Sequence, residues 1–96
     1  MRPSIALDLH RASIRDATRR RRAGNPRVFG SVRRGTDHEG SDLDLLVDAL
    51  PGATLFDLGW LQTELEDLLG VTVDLVTPAD LPVSFREQVL LEALPV

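Results

Sequence analysis

Apolar positions recur along this chain at two spacings. From about Ser4 to Ala23, Leu7, His10, Ile14 and Ala17 share one face at helical spacing. Arg19 to Arg22 would occupy the last turn, where cations suit the helix dipole, and Gly24-Asn25-Pro26 reads as a stop. A short strand is expected over Arg27–Gly30, roughly one helical turn over Ser31–Gly35, and loop character over Asp37–Gly40. Ser41 to Asp48 alternates as a strand, and Pro51-Gly52 is a turn. A long helix over Leu55–Leu69 has Thr54 as N-cap, Leu58, Leu61, Leu65 and Leu68 as its buried stripe, and Gly70 as its stop. Phe56 and Trp60 read as core or interface residues. Val71 to Val76 is a third strand, with Asp74 on the face opposite Val71, Val73 and Leu75. Pro78 to Leu81 is a turn or short helix. Ser84 and Glu87 have capping-box spacing, which predicts a last helix from near Phe85. The sum is a two-layer α/β arrangement, a small sheet covered by helices and forming one domain over residues 1–96. The pattern leaves strand order and orientation open.

The strand beginning near Ser41 carries chemistry. Asp42 and Asp44 lie two apart, so both carboxylates project to one side while Leu43, Leu45 and Val47 project into a core. Their Cα atoms would be about 6.6–6.8 Å apart. Two ionised carboxylates on one face repel each other, and a hard, oxygen-seeking cation such as Mg²⁺ relieves the repulsion. Twelve residues upstream of Asp42, Gly30 opens a Gly30-Ser31 pair at the junction of strand and helical turn. Glycine admits close approach of a ligand to the backbone, and unpaired N–H groups at a helix start attract anions. One segment thus offers an anion cradle and a cation site. The bland alternatives are a helix-capping Ser31 and an ordinary half-solvated strand at Asp42 and Asp44.

Gly30-Ser31, ten intervening residues and Asp42-x-Asp44 resemble the signature of the DNA polymerase β-type nucleotidyltransferase superfamily. The short length, Arg34-Gly35 and the run from Asp42 to Val47 resemble its minimal (MNT) branch, whose members are often paired with HEPN-domain ribonuclease toxins. The likeness continues through Val73–Pro78 to Glu92-Ala93-Leu94-Pro95. Val32 departs from it, standing where many members carry a basic residue.

The resemblance implies a mixed sheet of the polymerase-β palm type. It implies Asp42, Asp44 and Asp74 as catalytic, metal-binding carboxylates for two Mg²⁺ ions. Gly30, Ser31 and Arg34 would bind nucleotide, with ATP as substrate. The expected activity is protein adenylylation: transfer of AMP to a hydroxyl, a tyrosine by analogy, on a HEPN toxin, making this chain an antitoxin. The alternative is an antitoxin that neutralises by binding and keeps a vestigial site. Transfer to a small molecule or an RNA end is a third and weaker reading.

Composition narrows these readings. Without cysteine the chain has no disulfide, thiolate metal site or cysteine nucleophile, which fits a reducing cytoplasm. No apolar run approaches the roughly 20 residues of a membrane span, and no signal peptide is indicated. Every basic side chain is arginine, so any fixed positive charge near a triphosphate must be one. The net charge of −4 argues against stable nucleic-acid binding, and the Arg19–Arg22 run encircles its helix and lacks interleaved aromatics. His10 and His38 are isolated and are assigned to no metal.

Overall fold

The computed structural model describes residues 1–96. In chain order it contains α1 (Pro3–Leu9), α2 (Arg11–Arg20), β1 (Ala23–Phe29), α3 (Gly30–Arg34), β2 (Leu43–Ala49), α4 (Leu55–Leu69), β3 (Val73–Val76), a 3-10 turn (Pro78–Asp80), α5 (Val83–Glu92) and β4 (Leu94–Pro95). The strands form one sheet in the order β3-β2-β1-β4. β1 runs antiparallel to both β2 and β4, and β2 runs parallel to β3, so the sheet is mixed.

The alternation of β2 decides which side is core. Leu43, Leu45 and Val47 are fully buried and join Leu7 and Ile14 from α1 and α2 and Leu61 and Leu65 from α4. On the opposite side, Leu46 meets Leu81 and Val89 in a smaller cluster beneath α5. α5 therefore covers the lower part of the face that carries the acidic residues and leaves the end near Asp44 uncovered.

Several boundaries differ from the sequence expectation, each for a local reason. The first helix is broken at His10, whose N–H turns back to the Leu7 carbonyl while its own carbonyl accepts from Ile14 N–H. The kink keeps Leu7 and Ile14 both in the core. The helix ends before Gly24-Asn25-Pro26, but β1 already starts at Ala23 rather than Arg27, with a bulge between the Gly24↔Asp48 and Arg27↔Leu46 pairs and Asn25 at φ +49°. α4 is capped as expected by Thr54, with Asp57 completing a reciprocal capping box. Its buried stripe, however, is Leu61, Leu65 and Leu69, while Leu68 is exposed. Phe56 and Trp60 are 80% and 60% exposed and do not belong to the core. α5 starts at Val83 after Pro82, and Ser84 makes no capping bond. The real reciprocal box in that region is Thr77 with Asp80, on the 3-10 turn. The edge strand β4 had no signal in the sequence pattern.

The arginine run at the end of α2 is spent on internal pairs. Arg20 and Arg21 both bond Glu64 of α4, Arg21 also lies 5.8 Å from the Trp60 ring centroid, and Arg19 pairs with Asp16. No helix is long and apolar enough to cross a membrane.

Candidate functional site: an acidic shelf against a glycine turn

The register places the candidate residues. Asp44 pairs across the parallel ladder with Asp74, so the two side chains are neighbours on one face. Asp42, two residues upstream and just ahead of β2, projects to the same face. On the other flank of β2, Phe29 pairs with Asp44, and the chain turns directly from Phe29 into α3 at Gly30.

Gly30 has φ +71°, a left-handed conformation that side chains other than glycine rarely adopt. A Cβ at this position would overlap Asp44 Oδ2 and lie 2.9 Å from Asp44 Cγ. The start of α3 is thus packed directly on the Asp44 carboxylate. Gly30 and Asp44, fourteen residues apart in sequence, come into contact because β1 and β2 are ladder partners.

The electrostatics follow from that crowding. The Asp44 carboxyl is pushed up to about 6, first by burial, then by the charges of Asp74 and Asp42 and a hydrogen bond with Asp74; Arg34 pulls in the opposite direction. No group of three His, Cys, Asp or Glu side chains converges closely enough to form a complete ligand set. The donor chemistry nevertheless fits Mg²⁺, which is commonly held by one or two carboxylates together with substrate phosphates rather than by a closed protein cage. Asp44 with Asp74 supplies such a pair, and the turn at Gly30 lies directly against it.

Ser31 is the second residue of α3. Its side chain caps nothing, since the N-cap position is Phe29, and its carbonyl accepts the Thr36 N–H at 2.9 Å. Arg34 is 57% exposed and donates to Glu92 at the end of α5 (3.2 Å), while Arg33 Nε donates to the Glu92 carbonyl (2.7 Å). α3 is therefore clamped from the C-terminal helix, and the charge of Arg34 is also felt at Asp44. Glu92 lies within the resembling segment, but nothing in the local pattern gives it a role.

A second unassigned residue is Asp37, in the loop joining α3 to β2. Its side chain is fully buried and accepts Arg2 Nη2 at 3.1 Å and Ser4 N–H at 2.9 Å. Burial alone would raise this carboxyl. Ser4 and Arg2 overcome that effect and hold it below the usual carboxylate range. Its partners lie more than thirty residues away, so no local pattern marks it.

The carboxylates line an open shelf. None of the molecule's surface grooves is lined by Asp42, Asp44 or Asp74. The largest, of about 460 Å³, lies between α2 and α4 on the other side of the sheet.

Comparison with known proteins gives this arrangement its context. Residues 12–96 match the family described as the nucleotidyltransferase domain. The protein adenylyltransferase MntA of Thermococcus cleftensis is 38% identical over 88 residues, covering 92% of this chain and 86% of the relative. A solved structure assigned as a minimal nucleotidyltransferase superposes with a TM-score of 0.87 at 46% identity, over 97% of this chain and 95% of that one. A crystal structure of a toxin–antitoxin with AMP-PNP superposes with a TM-score of 0.73 at 26% identity, over 88% of this chain and 69% of that one. With its mixed sheet, its glycine turn and these matches together, the chain belongs to the nucleotidyltransferase domain family, in the minimal branch with the polymerase-β-like fold.

Proposed function

We propose that this chain is a protein adenylyltransferase antitoxin that moves AMP from Mg-ATP to a hydroxyl of a partner toxin. The observation that carries the reading is the Asp44–Asp74 pairing with Gly30 packed against Asp44. It is supported by the relative named protein adenylyltransferase MntA and by the toxin–antitoxin neighbour that holds AMP-PNP. The finer assignment is a tyrosine of a HEPN-domain ribonuclease as acceptor.

In this reading Asp42, Asp44 and Asp74 hold Mg²⁺, with two ions as the working number. The metal supplies charge neutralisation at the phosphates and favours the ionised form of the attacking hydroxyl. The turn at Gly30 and Ser31 orients the triphosphate, and Arg34 exchanges its contact with Glu92 for a phosphate oxygen. The acceptor oxygen bonds to the α-phosphorus, the bond to pyrophosphate breaks, and the hydroxyl proton passes to Asp74, which is exposed. Most of the rate gain comes from alignment and charge stabilisation.

A contact-only antitoxin is the second reading. It is favoured by the incomplete convergence of the carboxylates and by exposed apolar side chains on α4 and α5, among them Leu55, Phe56, Val83 and Leu91. Intact-mass spectrometry of the co-expressed partner separates the two. A gain of whole AMP units that disappears with Asp42→Ala/Asp44→Ala establishes transfer. Neutralisation that survives this double substitution, with no mass gain, establishes contact alone.

A further inference from the structure

We infer that Asp37 is a positioning residue for Asp42: by fastening the loop between α3 and β2 to the N-terminal segment, it sets the affinity of the acidic shelf for divalent metal. The inference rests on the metal-binding reading of Asp42, Asp44 and Asp74.

The loop spans from Gly35, in a left-handed conformation at the end of α3, to Asp42 at the threshold of β2. Within itself it is held by a local turn, in which Ser41 Oγ accepts the His38 N–H at 2.9 Å and Ser41 N–H donates to the His38 carbonyl at 3.0 Å, and Glu39 makes an exposed pair with the Met1 amino group. His38, Glu39 and Gly40 are exposed and contribute nothing to the core. Asp37 is the one buried residue of the loop. Both of its partners, Arg2 and Ser4, belong to the N-terminal segment, and α1 is fixed to the core through Ala6 and Leu7.

Asp42 differs from Asp44 and Asp74 in this respect. The other two sit inside paired strands, whereas Asp42 lies one residue outside β2, held on one side by Leu43, whose N–H bonds the Thr72 carbonyl, and on the other only by the loop before it. A buried carboxylate accepting both a guanidinium and a backbone N–H is a strong anchor, because removing it strands both donors. Releasing it frees the loop and lets Asp42 move away from Asp44, which lowers metal affinity without removing a ligand. Outer partners of metal ligands commonly act in this way.

The test uses the full chain with Asp37→Ala, Asp37→Asn and Arg2→Gln. The first readout is the Mg²⁺ concentration giving half of the maximal rise in Tm, with no nucleotide present. The second is the Mg²⁺ dependence of AMP transfer. Asp37→Ala is expected to raise the half-saturating Mg²⁺ about 10-fold, and Arg2→Gln, losing a half-exposed ion pair, about threefold. Asp37→Asn, which keeps an acceptor for Ser4, falls between them. Maximal transfer at saturating Mg²⁺ stays within about twofold, because no ligand is lost.

If all three variants lower the Tm of the metal-free protein and leave the Mg²⁺ midpoint unmoved, Asp37 only holds the fold and the inference is overturned. Should Asp37→Ala fail to fold, Arg2→Gln and Asp37→Asn decide the matter by the same midpoint. An Asp42→Ala/Asp44→Ala control distinguishes the two levels. If that control responds to Mg²⁺ as the native chain does, the metal reading of the shelf falls, and the role of Asp37 with it.

Discussion

Asp44 and Asp74 face each other across the only parallel ladder in the sheet, and the backbone of Gly30, at the start of α3, closes on Asp44 from the other flank. A carboxylate enclosed in this way between a second acid and a glycine turn is destabilising when ionised and unpaired. Its removal should therefore make the metal-free protein more stable.

That expectation has a defined pH window. The Asp44 carboxyl is raised from 3.8 to about 6, so between those values the native state binds more protons than the unfolded chain. Stability then falls as pH rises through the window, and the full penalty is present at pH 7. The penalty is on the order of 1–2 kcal/mol, smaller than for a fully buried acid because solvent screens a half-buried site. Urea denaturation of metal-free protein should give a higher midpoint near pH 5 than at pH 7.5. Asp44→Asn should flatten the difference, raise the Tm at pH 7.5 and abolish transfer. Asp37 works in the other direction and in another range, since its lowered carboxyl stabilises above 3.8 and loses that contribution only as pH falls further.

Gly30→Ala should cost about 1–3 kcal/mol, from the left-handed backbone and the overlap with Asp44. Nucleotide binding should weaken along with it. Combining Gly30→Ala with Asp44→Ala relieves the overlap but not the backbone strain. The double variant should thus recover part of the lost stability, read as a non-additive change in denaturation midpoint.

Arg34→Ala should leave the denaturation midpoint nearly unchanged, within about 1 kcal/mol, since its pair with Glu92 is exposed on the arginine side. Its effect should fall on nucleotide use. A rise in the KM for ATP of about 10-fold corresponds to one lost charge-assisted contact. An unchanged KM would mean that Arg34 serves only to hold α3 to α5.

Leu65→Ala and Trp60→Ala contrast two residues of one helix. Leu65 is fully buried, so its truncation should cost about 2–5 kcal/mol in the isolated chain. Trp60, 60% exposed and stacked loosely with Arg21, should cost less than about 1 kcal/mol. Chemical denaturation of both variants measures the difference.

The contrast between Leu65 and Trp60 also shows what the amino-acid sequence makes legible. Alternation from Asp42 to Leu45 separates core from site without any tertiary knowledge, because a strand has only two faces. The 3.6-residue period of α4 places its stripe to within one residue and no better, so Leu68 and Leu69 exchange roles. Aromatic character says nothing about which face of a helix a ring occupies, and Phe56 and Trp60 are accordingly outside. Gly24-Asn25-Pro26 is composed like a loop but is held as a bulge by the ladder on either side. Gly30 and Asp44 are both marked by spacing, yet their contact depends on strand pairing. Asp37 and Glu92 act through partners from distant parts of the chain, and composition carries no trace of such contacts.

The openness of the shelf bears on how transfer competes with waste. Asp42 and Asp74 are exposed and no groove encloses them. Bulk water therefore reaches the same ground as any acceptor hydroxyl, at a far higher concentration. A fold this shallow has little means of its own to dehydrate a bound nucleotide. On the proposed function, excluding water would fall to the partner, whose docked surface would supply the roof that this fold lacks.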